Sequence, residues 1–204
     1  MRLLHVDTSP NRYDSVTREL AAVFVAALRR RYPDLEVIYR DLAADPPPDL
    51  DARWHDALSA EPAARDPAMQ QMLDAATGYI RDLRAAERYV FAVPMHNFTV
   101  PAGFKAYLDH VIQPDETFTY DADGRQQGLL HGKKALIVTA RGGYYHTADP
   151  ASDFQEPYLR KALAFIGVSD VAFVHAEGTV ISSKARAESL STARAELEAL
   201  AQGW

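Results

Sequence analysis

The chain has 204 residues and a formal net charge of −6, with 48% hydrophobic residues and no cysteine. That length and apolar share fit one large domain with a true core. The acidic balance argues against nucleic acid as a partner, and the missing thiols exclude disulfides, thiolate metal sites, cysteine nucleophiles and dithiol redox chemistry.

The N-terminus enters Arg2-Leu3-Leu4-His5-Val6-Asp7 at once, too short and too soon charged for a signal peptide. No apolar run approaches the roughly 18 residues of a membrane span. The expectation is a cytoplasmic protein without membrane attachment.

Two periodicities alternate along the chain. Residues 3–6 form a short apolar strand, followed by Leu20, Val23, Phe24, Ala27 and Leu28 at helical spacing. Tyr32-Pro33 ends that helix, because proline disfavours helical backbone at the residue before it. Residues 35–39 are the second strand; Met69, Met72, Leu73, Ala76, Ile80 and Leu83 mark the next helix; residues 89–93 are a continuous apolar strand. The pattern then repeats: a helix at Phe104, Tyr107, Leu108, Val111 and Ile112, a strand at 135–138, and a helix at Leu159, Ala162, Leu163 and Ile166 capped by Gly167. A strand at 171–174 and a helix through Leu190, Ala193, Leu197 and Leu200 close the chain.

Strands alternating with helices mean βαβ units and a parallel sheet. Uninterrupted apolar strands fit a sheet covered on both faces. The reading is α/β: a flavodoxin-like three-layer sandwich with a five-stranded parallel sheet of order 2-1-3-4-5, a single domain over 1–204, with a six-stranded Rossmann sheet the nearest competitor. Two segments break the rhythm. Residues 43–67 hold five of the 12 prolines and cannot form one regular element; Trp54 and His55 there are expected to reach a partner subunit. Residues 114–132 suggest a small hairpin around Asp121-Ala122-Asp123-Gly124, too short for a calcium loop.

In such a sheet, ligands bind where the loops after strands 1, 3 and 4 meet. The first loop carries Thr8, Ser9, Ser15 and Thr17 but no glycine, so it lacks the dinucleotide fingerprint. Hydroxyls at a helix N-terminus suit one phosphate, with Arg12 or Arg18 to neutralise it, or simply cap the helix. The second loop, Pro94-Met95-His96-Asn97-Phe98-Thr99-Val100-Pro101, combines polar and aromatic groups as a flat heteroaromatic ligand requires. The third, Ala140-Arg141-Gly142-Gly143-Tyr144-Tyr145-His146, has a glycine pair, which allows positive φ and close backbone approach. Among the histidines, His5 reads as a satisfied core residue, and His110 and His131 as solvated. No metal, Walker or nucleophile-elbow motif is visible.

Met95-His96-Asn97-Phe98 after Val93-Pro94, with Thr117-Phe118, Gly132-Lys133-Lys134-Ala135, Ala140-Arg141-Gly142-Gly143, Phe165-Ile166-Gly167 and Ala176-Glu177-Gly178, resembles the FMN-dependent NADH-azoreductase and NADH:quinone oxidoreductase family over nearly the whole chain. The family usually has Tyr where this chain has His96, and Ser where it has Ala140. The resemblance implies a flavodoxin-like homodimer that binds FMN. Ser9, Ser15, Val16 and Thr17 would hold its phosphate; Met95, His96, Asn97 and Phe98 would line one edge of the ring, and Ala140, Arg141, Gly142 and Gly143 the next. It also implies NADH or NADPH as donor and a quinone or azo compound as acceptor, reduced by two-electron hydride transfer in a ping-pong cycle, with the flavin carrying the chemistry and no catalytic side chain or metal. Phe118, Tyr120, Tyr144 and His146, with Tyr145 and Phe154, are the aromatic candidates for the acceptor's walls. Arg141 is expected to pair with a carboxylate rather than act in catalysis. The alternative is a flavodoxin-type FMN electron carrier with no substrate site of its own.

Overall fold

The computed structural model describes residues 1–204. Five parallel strands form one sheet: β1 (Arg2–Asp7), β2 (Glu36–Asp41), β3 (Arg88–Pro94), β6 (Lys134–Ala140) and β7 (Asp170–Ala176). Their order is β2-β1-β3-β6-β7, which is the expected 2-1-3-4-5 arrangement once the small hairpin is set aside. That hairpin, β4 (Phe118–Tyr120) with β5 (Gln126–Gly128), is antiparallel and interrupts the crossover between β3 and β6.

Successive strand residues face opposite layers. Leu3, Val90, Ala92, Leu136 and Val138 pack into a core with α1 (Val16–Arg31) and α6 (Ser183–Gly203). Leu4, Val6, Tyr89, Phe91, Val93, Ala135 and Ile137 pack into the other core, with α3 (Pro67–Ala85), α4 (Ala102–Val111) and α5 (Gln155–Phe165). Burial on both faces explains why the strand sequences are apolar without alternation.

The helix ends follow local chemistry. Ser15 caps α1 by accepting from the Arg18 amide, and Asp66 caps α3 by accepting from the Met69 amide. α1 stops at Arg31, just before Tyr32-Pro33. Gly167, at φ 101°, ends α5 in a conformation that side chains rarely tolerate. It also lies against the hairpin: a Cβ on Gly128 would stand 2.1 Å from the Gly167 nitrogen, so glycine is required where the two backbones meet.

Two expectations are corrected by packing. Trp54, on the short helix α2 (Arg53–Ser59), is buried within its own chain beside Met72 and Ala76. Its ring meets His110 edge-on at 5.1 Å, so it is not the free partner-seeking group that its proline-rich surroundings suggested. His110 is not solvated: it is 0% exposed, its Nε2 lies 2.8 Å from the Pro48 carbonyl oxygen, and burial lowers its pKa. His131 is exposed, as expected. No helix is long and apolar enough to cross a membrane.

Candidate functional site

The carboxyl ends of β1, β3 and β6 are adjacent, so the loops at 8–15, 95–101 and 141–154 share one end of the sheet. Each loop is shaped by a local constraint.

In the first loop, Asn11 organises the turn: its Oδ1 accepts from the Tyr13 and Asp14 amides, and its Nδ2 donates to the Asp14 carbonyl. The chain then enters α1 with Ser15 as cap. The Val16 and Thr17 amides at the helix start have no backbone acceptor, as the first turn of any helix requires. Unpaired amides at the positive end of a helix dipole attract an anion. Ser15 Oγ lies 3.2 Å from Thr17 Oγ1, and Ser9 Oγ donates to the Asn11 carbonyl at 3.3 Å. Val16 and Thr17 are buried, so what they present is main chain rather than side chain.

Arg18 is engaged beneath this loop. Its Nη1 donates to Asp7 at 3.2 Å, and its Nη2 to Asp41 at 2.5 Å and to the Ser9 carbonyl at 2.8 Å. It braces the loop from below, while Arg12, half exposed, stands 3.6 Å from Asp41. Asp7 also accepts from Tyr39 Oη at 2.7 Å and lies 3.1 Å from His5 Nε2. His5 is thus the partnered core histidine that its strand position suggested.

Burial alone would raise the pKa of Asp7, but the bonds from His5 and Tyr39 and the charge of Arg18 outweigh it and hold the carboxyl below its ordinary value. Tyr39 is correspondingly pushed up to about 12 by burial and by its bond to Asp7. A depressed carboxyl contributes stability above its unfolded pKa and loses it as pH falls through the lower folded value. Asp7→Asn should therefore cost about 2 kcal/mol near neutrality, the scale of hydrogen bonds to a charged group. The difference from wild type should close as pH falls below the ordinary carboxylate range and through the depressed value of Asp7; urea unfolding at neutral and acid pH measures both, and a cost that persists in acid would refute the charge argument.

The second loop is a tight reversal. His96 and Thr99 exchange both main-chain bonds, at 2.9 and 3.1 Å. Asn97 (φ 46°) and Phe98 (φ 73°) between them are left-handed without being glycine. This is the type I′ geometry, which asparagine tolerates and phenylalanine resists. Strain of this kind persists where function holds it. The Asn97 and Phe98 amides have no backbone acceptor. Asn97 is exposed, Phe98 is half exposed, and the Phe98 ring meets Tyr145 edge-on at 6.2 Å. His96 and Asn97, with Val100, Lys105 and Tyr158, line a cavity of about 470 Å³. Met95 is fixed through its amide, which donates to the Ala140 carbonyl at 2.9 Å and so ties the second loop to the third.

The third loop hangs on buried charge. Arg141 is 0% exposed; its Nη1 lies 3.0 Å from Asp153 and 3.3 Å from Glu177, and its Nε donates to Gln155 at 3.2 Å. Gln155 in turn donates to the Val93 carbonyl. Glu177 Oε1 also accepts from the Tyr145 and His146 amides, each at 2.9 Å. The side chain of Arg141 thus pairs with carboxylates, as expected, and its main chain is engaged as well: the amide donates to the Ala176 carbonyl and the carbonyl accepts from the Thr179 amide and hydroxyl.

Gly142 and Gly143 are not at positive φ; that expectation fails. The need for glycine here is space. A Cβ on Gly142 would stand 3.0 Å from Val180 Cγ2. Positive φ belongs instead to Gly178 (φ 68°), where a Cβ would meet the Tyr144 ring at 2.5 Å. Gly178 and Glu177, which together position Tyr144 and Tyr145, are site-forming residues that sequence reasoning placed only in a matching segment.

The aromatic candidates divide. Tyr144, Tyr145 and Phe154 lie on the loops at the carboxyl end, and the Phe154 amide donates to the Phe98 carbonyl. His146 is exposed, on the same loop, with its ring 5.5 Å from His175. Phe118 and Tyr120 are not brought here. Helix α4 returns the chain to the amino end of the strands, so the hairpin sits at the opposite edge, where Phe118 packs on Phe165 at 4.7 Å. Within one chain, neither can wall this crevice.

A family model described as a flavodoxin-like fold matches residues 1–201. The FMN-dependent NADH:quinone oxidoreductase 1 of Trichormus variabilis is 42% identical over 204 residues, covering 100% of this chain and 97% of the relative. The chain belongs to this family. The corresponding protein of Xanthomonas euvesicatoria pv. vesicatoria is 44% identical over 198 residues, covering 97% of this chain and 95% of the relative. Among solved structures, an FMN-dependent NADH-azoreductase of Bacillus anthracis in complex with FMN superposes with a TM-score of 0.89 at 26% identity, covering 99% of this chain and 98% of that one. The azoreductase AzrA, at 23% identity, shares the fold with a TM-score of 0.90 over 100% of both chains. These relatives are named as enzymes, which favours the reductase over the electron-carrier alternative.

The crevice suits the family's cofactor on its own geometry. Unpaired amides stand at the α1 N-terminus and again at the 96–99 turn, positions that suit a phosphate at one end and a polar ring edge at the other. The chain's departures from the family pattern fall at open positions: His96 is exposed and Ala140 partly exposed.

The Asn97 contribution can be separated into side chain and backbone. Asn97→Gly keeps the left-handed turn and removes the amide, whereas Asn97→Ala also strains the turn by about 1 kcal/mol. Equal tenfold losses of FMN affinity in both variants would place the effect in the side chain. An effect confined to Ala, measured by fluorescence titration, would place it in the turn.

Proposed function

We propose that this single-domain protein is an FMN-dependent oxidoreductase that uses NADH to reduce quinones and azo compounds. The observation that carries the reading is the pairing of two sets of unpaired amides, at Val16–Thr17 and Asn97–Phe98, at one end of the sheet of a chain whose full-length relatives are named for this activity. Bound FMN would accept and donate the electron pair, which the cysteine-free chain has no thiol to carry.

The chain's own part is binding, orientation and exclusion of water. The α1 N-terminus with Ser15, and Ser9 beside it, would hold the phosphate. The 95–98 turn and the main chain of 140–143 would flank the ring. Unpaired amides at the turn favour negative charge nearby. Phe98, Tyr144, Tyr145 and Phe154 offer flat faces to a planar acceptor and keep water from the reacting edge. With one crevice to share, donor and acceptor would enter in turn, which gives ping-pong kinetics.

Phe98, Phe154, Tyr144, Val180 and Ile181 are exposed together on the loops at this end. Apolar surface so concentrated calls for cover, which supports a homodimer assembled over the crevice rather than through Trp54. Sedimentation should give twice the chain mass; a monomeric mass would contradict it. A cytoplasmic location agrees with the chemistry of a soluble NADH-linked enzyme.

The activity is tested by adding FMN to the purified protein and then NADH without oxygen. Retained yellow colour that NADH bleaches, and that a quinone restores, supports the proposal. Failure to take up FMN would refute it, and flavin that NADH leaves oxidised would return the electron-carrier reading.

A further inference from the structure

Behind the crevice, at the β7 edge of the sheet, three side chains from separate elements converge. His146 comes from the loop after β6, Glu156 from the first turn of α5 and His175 from β7. Their ligand-type atoms all lie within 4.8 Å of one another. His175 Nε2 is 3.0 Å from Glu156 Oε2. The other atom of each of these two groups is already held: His175 Nδ1 lies 2.8 Å from Thr139 Oγ1, and Glu156 Oε1 accepts from Arg160 Nε at 2.8 Å and Nη2 at 2.6 Å. Partners on the far side of a ligand fix its orientation and, for histidine, its tautomer, which is how metal ligands are supported. The His146 ring stacks at 29° to that of His175, and the His146 amide is held by Glu177.

The three groups open onto a groove of about 820 Å³ that Glu177 and Glu188 also line. Negative charge there favours a cation, and the groove leaves room for water at the remaining coordination position. We propose that His146, Glu156 and His175 form a binding site for a borderline divalent cation of the Zn²⁺ class. Two imidazoles and one carboxylate are the donor set such ions take. Mg²⁺ and Ca²⁺ need a mostly oxygen shell. The bound ion would tie the 141–149 loop to α5 and β7, and so couple the wall of the crevice to the edge of the sheet. No short motif announces the site, because its ligands are spread over three elements.

The test uses FMN-loaded, tag-free protein, stripped with a chelator and titrated calorimetrically with ZnCl₂ and separately with MgCl₂. The site requires saturable binding of one Zn²⁺ per chain, no comparable binding of Mg²⁺, and at least tenfold weaker Zn²⁺ binding in both His146→Ala and Glu156→Gln. His146 is exposed, so its variant should fold, and far-UV circular dichroism checks both. Zn²⁺ should raise the melting temperature of wild type and not of either variant. The absence of saturable binding, equal binding of Mg²⁺, or wild-type Zn²⁺ affinity in the variants would each overturn the proposal.

Discussion

Arg141→Met should destabilise the protein by about 3–5 kcal/mol, the range found when one partner of a buried ion pair is removed. Methionine fills much of the same volume, so the loss comes from charge. Asp153 and Glu177, at 9% and 12% side-chain exposure, would be left without their shared cation. With an unfolding slope near 2 kcal/mol/M, the urea midpoint should fall by about 1.5–2.5 M. Flavin should be lost well before the fold, because Glu177 positions the Tyr145 and His146 amides from the same carboxylate oxygen that faces Arg141. Arg141→Lys keeps the charge but not the planar fork, so it should recover only part of the loss. A midpoint within about 0.3 M of wild type would show that the buried network does not carry this loop.

Ser15→Asp separates the two roles of the α1 N-terminus. Aspartate caps a helix as well as serine does and favours the dipole, so α1 should be as stable or slightly more so. A phosphate bound at the Val16 and Thr17 amides would meet a new negative charge a few ångströms away. Two unit charges at 4 Å repel by about 4 kcal/mol near a protein surface, so FMN affinity should drop at least about 100-fold. Riboflavin, which has no phosphate, should bind the variant about as it binds wild type. Unchanged FMN affinity would remove the phosphate from this helix, and an equal loss for riboflavin would point to a general disturbance.

Much of this architecture is legible in the sequence because it rests on local, repeated signals. Leu20, Val23, Phe24, Ala27 and Leu28 can form only one helical stripe, and residues 89–93 suit only a strand buried on both faces. The order of the sheet follows from βα alternation, and the three site loops follow from that order. What could not be read depends on distant contacts or main-chain angles. Trp54 and His110 stand on segments whose own sequences look open; they are buried because they pack on each other. Asn97 and Phe98 are left-handed because the His96–Thr99 bonds close the turn, and no residue type there demands it. The paired glycines suggested positive φ, but Val180, 38 positions away from Gly142 along the chain, is what crowds a side chain there. Phe118 and Tyr120 looked like walls of the crevice, but within one chain the direction of α4 puts them at the other end of the sheet.

The ring and phosphate positions are tested together by a crystal grown with FMN. Phosphate oxygens within hydrogen-bond distance of the Val16 and Thr17 amides, with the ring's polar rim against the Asn97–Phe98 turn and its far edge along 140–143, are the predicted result. Flavin held elsewhere, or side chains closing the crevice so that it takes none, would contradict the account.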